Sequence, residues 1–168
     1  MAEKEYVKRI NRRLVHAGSI VDVYSDTMEL PDGNTQEWDF VSHRTGAACV
    51  LPVLDDGRIV LVHQYRPALN RMTWEVPAGC RDSLDEPTIV SSLISLKTTV
   101  AFCDEAIDVY LARNLKPGKQ QLDEAEVIDV KAWTMEEALE EIYAGRIQDS
   151  KTVAAILAYE TKVLLGDK

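Results

Sequence analysis

Residues 17–30, AGSIVDVYSDTMEL, mix β-branched and apolar positions with polar ones in the alternating pattern of a β-strand. PDGN at 31–34 has the composition of a turn, and TQEWDFVSH resumes the extended pattern. A hairpin-like β unit is therefore expected to end near Arg44. GAACVLPVLDDGRIVLVHQYRP then predicts a hairpin of two strands around a tight Asp-Gly turn, because Gly accepts positive φ without cost. TWEVPAG predicts a short strand stopped by Pro77. LISLKT, AIDVYLARNL and AEVIDVKAWT predict three more strands, and KPGKQ a turn. Two helices are expected to close the chain. In TMEEALEEIYAGRI, Thr134 caps, Glu137 follows at capping-box spacing, and Gly145 ends the helix. In DSKTVAAILAYETKVLL, Asp149 or Ser150 caps, and Val153, Ile156 and Leu157 begin a core-facing stripe. Strands first and helices last predict an α/β or α+β domain.

Composition narrows the function classes. The chain has 168 residues, 46% hydrophobic and 28% charged, enough for one domain with a real core. Its net charge of −9 argues against nonspecific nucleic-acid binding, which needs a positive field to replace phosphate counterions. An acidic protein still binds nucleotide phosphates where divalent cations bridge them. Cys49, Cys80 and Cys103 are too few and too scattered for a disulfide framework. The charged start MAEKEYVKRINRR has no apolar signal-peptide region, and no apolar run is long enough to span a membrane. The expectation is a soluble cytoplasmic protein with no membrane partner.

Three short segments carry candidate chemistry. In QYRP, Arg66 stands where a strand gives way to a loop, a common place for a ligand contact, and its planar fork of donors suits phosphate. A surface arginine paired with a nearby acid is the alternative. In EVPAG, Pro77 and Gly79 make a turn that can aim a main-chain carbonyl at a hard cation, or simply end a strand. In AFCDEAIDVYLA, Asp104 and Glu105 stand at a strand entrance, facing water or acting as metal ligand or base.

Together and in this order, GAACVLPVLDDGRIVLVHQYRPALNRMTWEVPAG, FCDE, LARNL and the two closing helices resemble the Nudix hydrolases, and within them the ADP-ribose pyrophosphatases. The resemblance spans nearly the whole chain. It implies an α/β/α sandwich with a mixed sheet (residues 45–168), preceded by an N-terminal antiparallel β subdomain (1–44) that builds a homodimer and shapes the substrate pocket. It implies attack of water, assisted by Mg²⁺ (or Mn²⁺), on a nucleoside diphosphate linkage; ADP-ribose would give AMP and ribose 5-phosphate. Residue by residue, Arg66 would hold a phosphate and Glu75 would line the substrate or metal site; Trp38, Trp74 and Tyr65 are candidates for stacking on adenine, with a core or dimer-interface place as the alternative. The Ala78 carbonyl, Glu86 and Glu105 would be metal ligands, with Glu105 also a candidate general base.

The chain departs from the family at its signature, G-x5-E-x7-R-E-U-x-E-E-x-G-U, where U is apolar. Glutamates three and four apart stack on one helix face, where they clamp divalent ions. From Gly79, the first glutamate position falls at Asp85, or at Glu86 with a loop one residue longer. No arginine or glutamate then occurs from Pro87 through Cys103. The helical half of the box is missing, by the simplest alignment, between Ser92 and Leu93. The chain is therefore expected to be inactive or nearly so. A nucleotide-sugar binding module or dimeric scaffold without hydrolysis is the second reading.

Overall fold

The computed structural model describes residues 6–80, 91–116, 118 and 128–166. Ten strands and two helices follow one another: β1 Lys8–Ala17, β2 Val21–Glu29, β3 Thr35–His43, β4 Ala47–Pro52, β5 Ile59–Arg66, β6 Arg71–Glu75, β7 Ala78–Cys80, β8 Ser91–Lys97, β9 Ala106–Ala112, β10 Ile128–Trp133, α1 Met135–Tyr143 and α2 Ser150–Leu164. The described residues fall into two compact units. One runs up to Gly46 and adds Lys97–Ala106; the other holds Ala47–Leu96 and the chain from Ile107.

The first unit is an antiparallel sheet in the order β1-β2-β3. The expected β2–β3 pair is present, in continuous register from Val21↔His43 to Glu29↔Thr35. β1 was not legible as a strand, because KRINRRLVHA lacks alternation and nearly all of it is exposed. Pairing with β2 makes it a strand, with register shifts at Arg9/Asn11 and Leu14/His16. Arg12 anchors it: its Nε and Nη2 each donate to the Asp26 carboxylate at 2.6 Å, and its guanidinium lies 3.9 Å from the Phe40 ring centre. Arg12 holds the buried Asp26 carboxyl below its usual range.

The second unit has two sheets, an antiparallel one in the order β10-β5-β6 and a mixed one in the order β7-β4-β9-β8. One expectation is corrected here. The Asp-Gly turn forms, with Gly57 at φ +84° and Leu54 N–H donating to the Arg58 carbonyl. The strands around it nevertheless do not make a hairpin. They share one bridge, Val53↔Ile59, and then enter different sheets. β4 pairs parallel with β9, while β5 lies between β6 and β10. Burial drives the separation. Leu51, Val109 and Leu111 line one sheet and Ile59 and Leu61 the other, and all five join a single core.

Both helices obey their local signals. Thr134 and Glu137 complete a reciprocal capping box, and Gly145 takes φ +70° just past the α1 cap. Asp149, not Ser150, caps α2 through Thr152 N–H. Ala155, Ile156 and Tyr159 of α2 pack into the core with Ala138 of α1. No helix among the described residues is long and apolar enough to cross a membrane.

Ile156 is fully buried and its removal leaves a cavity. Ile156→Ala is expected to lower unfolding stability by about 2–5 kcal/mol, and the capping change Thr134→Ala by only ~1 kcal/mol. Paired urea titrations check the order of the two effects.

Candidate functional site

In the second unit, the candidate site is built on the buried carboxylate of Glu75. Strand alternation turns Thr73 and Glu75 of β6 inward, and both are buried. An ionised carboxylate is tolerated inside only when its lone pairs are satisfied and its charge is paired. Five donors do this. Arg66, ending β5, gives Nε to Oε1 at 2.7 Å and Nη2 to Oε2. Thr73 Oγ1 donates to Oε1 at 2.6 Å, Gln64 Nε2 to Oε2 at 3.1 Å, and Lys151 Nζ to Oε2 at 2.6 Å. Burial alone would raise the carboxyl; the hydrogen bonds from Arg66, Lys151 and Thr73 overcome it and hold the group at about 2.

Lys151 also donates to Asp149 Oδ1 at 2.8 Å, so the first turn of α2 belongs to the same network. Thr152 beside it donates from Oγ1 to Asp149 Oδ2 and accepts the Val76 N–H at 2.9 Å. The end of β6 is thereby tied to the helix just before the Pro77–Ala78–Gly79 turn. Ala78 pairs with Cys49 and opens β7.

Arg66 is thus paired with an acid, as the alternative sequence reading held, yet its side chain stays 40% exposed. It has the open face that anion recognition needs. Glu75 is 1% exposed and engaged by its five donors, so any influence on a ligand passes through Arg66. Of the aromatic candidates, Trp74 stacks on His63 with ring centres 4.4 Å apart and meets Trp133 edge-on at 5.2 Å. Tyr65 donates its hydroxyl to Asn70 Oδ1.

In the first unit, Trp38 is 44% exposed on β3. It lines a recess of about 200 Å³ with Arg12, Phe40 and Phe102. The loop carrying Glu105 docks onto the end of β3. Asp104 accepts from Ser42 Oγ and His43 N–H, each at 2.8 Å, and Val41 bridges Cys103 in parallel. Glu105 accepts from Thr98 Oγ1 at 2.6 Å, and His43 Nε2 lies 3.9 Å away.

Asp85 and Glu86 lie outside the described residues. Among the described residues, no three His, Cys, Asp or Glu side chains converge as a metal site. Burial pushes the Cys49 thiol up to about 11, which keeps it protonated and unreactive. Sequence reasoning missed Lys151 and Arg12. Lys151 had a legible signal, since it stands in phase with the buried Ala155 and Tyr159 at four-residue steps. Arg12 had none.

The Glu75 carboxyl is lowered from 4.5, so it contributes stability that is complete above pH 4.5 and is lost as pH falls through about 2. The size is on the order of 3 kcal/mol. Glu75→Gln is expected to flatten the stability profile across that acid window, as read by denaturant titrations at successive pH values.

No family model matches the chain. It is 31% identical to an ADP-ribose pyrophosphatase of Bacillus subtilis (strain 168), with 94% of this chain and 95% of that protein aligned. It is 34% identical to the methanol dehydrogenase activator of Bacillus methanolicus, with 96% of each aligned. An ADP-ribose pyrophosphatase of Mycobacterium tuberculosis (strain ATCC 25618 / H37Rv) is 29% identical, over 94% of this chain and 84% of the relative. These alignments run to 176, 179 and 177 positions, whereas 94–96% of 168 residues is about 158–161. Each therefore holds about eighteen positions to which this chain contributes no residue. The crystal structure of an ADP compounds hydrolase superposes with a TM-score of 0.83 over 98% of both chains, at 15% identity, which establishes the fold. With a Nudix α/β architecture and relatives above 30% identity along nearly its whole length, the chain belongs to the ADP-ribose pyrophosphatase-like Nudix hydrolases.

Proposed function

We propose that this protein recognises a nucleoside diphosphate sugar, ADP-ribose first among them, and that Arg66 holds its phosphates. The exposed guanidinium, fixed by a buried carboxylate at the end of β5, is the observation that carries this reading. Bidentate anchoring costs Arg66 only part of its donor set and fixes the direction of the rest. The names of two relatives supply the substrate class.

The family reaction would be Mg²⁺- or Mn²⁺-dependent hydrolysis to AMP and ribose 5-phosphate, with Glu105 as general base. The 168-residue chain is proposed to perform it weakly or not at all. The Ala78 carbonyl, Glu86 and Glu105 are too few to hold two hard cations, which demand several oxygen ligands each. The stretch from Pro87 through Cys103 adds no glutamate, and the shortfall of about eighteen aligned positions has the size of the missing helix with its linker. That same shortfall favours a second reading, a nucleotide-sugar binding module without turnover.

Residues 1–44 are proposed as the dimerisation and pocket-forming subdomain, with Trp38 against the base. Ile10, Leu14, Val15 and Ile20 are each about half exposed there, which suits burial against a second copy. A cytoplasmic location fits the free thiols of Cys49 and Cys103.

The test starts with intact mass. For protein of 18.8 kDa, ADP-ribose is expected to bind without added metal and to release no AMP when Mg²⁺ is supplied. Turnover in the usual enzyme range, ~1–10³ s⁻¹, would overturn the proposed inactivity. Absence of binding, with or without Mg²⁺, would overturn the substrate class. A mass heavier by ~2 kDa would mean that the helix is present in the protein, and hydrolysis would become the expected outcome.

A further inference from the structure

Lys151 is buried, comes from an element distant in sequence from Arg66, and has no role in the reading above. Its Nζ donates to Glu75 Oε2, the oxygen that also accepts Arg66 Nη2, so one carboxylate serves two cations. An arginine paired one-to-one with a carboxylate offers an approaching anion little net field, because attraction to the guanidinium is offset by repulsion from its partner. A second cation on the same carboxylate removes that offset. Asp149 partly balances Lys151, but its other oxygen is occupied by Thr152 N–H and Oγ1 at the start of α2, where the helix dipole already favours negative charge. Among the described residues, Arg66 Nη1 makes no hydrogen bond, and its two N–H groups point away from the Glu75 pair.

We propose that Lys151 is a positioning residue for anion recognition: it shares Glu75 with Arg66 and offsets the carboxylate charge, so that the Arg66 guanidinium keeps a net field and its Nη1 donors for the pyrophosphate of the ligand. This inference rests on Arg66 being the phosphate contact. It assigns α2 a part in binding besides its part in the core, and it explains why a lysine occupies a buried step of an otherwise apolar stripe.

The experiment measures ADP-ribose affinity by calorimetry, near neutral pH at low and high salt, for the parent chain and for Arg66→Ala, Lys151→Met and the double variant Glu75→Gln/Lys151→Met. Lys151→Met is expected to weaken binding about tenfold or more, because Glu75 then faces Arg66 alone. The double variant removes both buried charges and is expected to recover part of the loss, to within about tenfold of the parent chain, short of full recovery because Arg66 loses its two-point anchor. A lysine that served packing alone would give no such recovery. Parent-like affinity of folded Lys151→Met overturns the proposal, and so does a double variant that binds no better than the single one. Should Lys151→Met not fold, the double variant decides alone, since it removes the buried carboxylate together with the lysine: affinity within about tenfold of the parent supports the proposal, and binding as weak as that of Arg66→Ala overturns it. Unchanged affinity of Arg66→Ala would instead show that the phosphate contact is misassigned, a failure distinct from that of Lys151.

Discussion

The second unit depends on a charge placed where charges are costly. Ionised Glu75 lies almost fully out of water, and its desolvation has to be met by donors from β5, β6 and α2 at once. No one of these elements supplies enough. Arg66 fixes the end of β5, Lys151 the first turn of α2, and Thr73 the inward face of β6. Thr152 then extends the arrangement to the main chain at Val76. Removing one partner of such a set is far more disruptive than replacing the whole by apolar groups, because the survivors keep their desolvation cost. The network is therefore better understood as setting one geometry than as adding net stability. The geometry it sets is an arginine at the end of a strand, directed outward.

The family scaffold is present, and the family signature is only partly legible in the sequence. The strands that precede the signature and those that follow it are formed, and the closing helices pack as the relatives' fold requires. What the sequence does not contain is the run of glutamates that brings hard cations to a diphosphate. The buried Glu75 network and its exposed arginine lie on β5, β6 and α2, outside the stretch from Pro87 through Cys103 that holds no glutamate.

Much of this was legible before any coordinates, and the exceptions share a cause. Asp149 and the Thr134–Glu137 box act within four residues, so their signals are local. The place of Arg66 at the end of β5 was legible for the same reason, since strand endings are marked by neighbouring residues. β1 was not, because KRINRRLVHA becomes a strand only through β2 and the Arg12–Asp26 pair. Lys151 shares its helical phase with Ala155 and Tyr159, but its partner Glu75 is distant in the chain and leaves no local mark of the pair. The expected hairpin at the Asp-Gly turn failed for a related reason: turn chemistry specifies the reversal, while the partners of each strand are chosen by the core.

That turn has a consequence for how the chain reaches its native state. The strands on either side of Asp56–Gly57 are the easiest to bring together, since a tight loop costs little closure entropy. The native structure keeps only the Val53↔Ile59 bridge between them. Ala47 must instead find Ile107, and Ile59 must find Trp133. Rapid local pairing is thus a competitor that folding must undo, and the nonlocal contacts that replace it are the slow ones to form. A ribosome-bound chain that has emerged only as far as β6 holds both strands and none of β9 or β10, so the competing hairpin has the whole of that interval to itself.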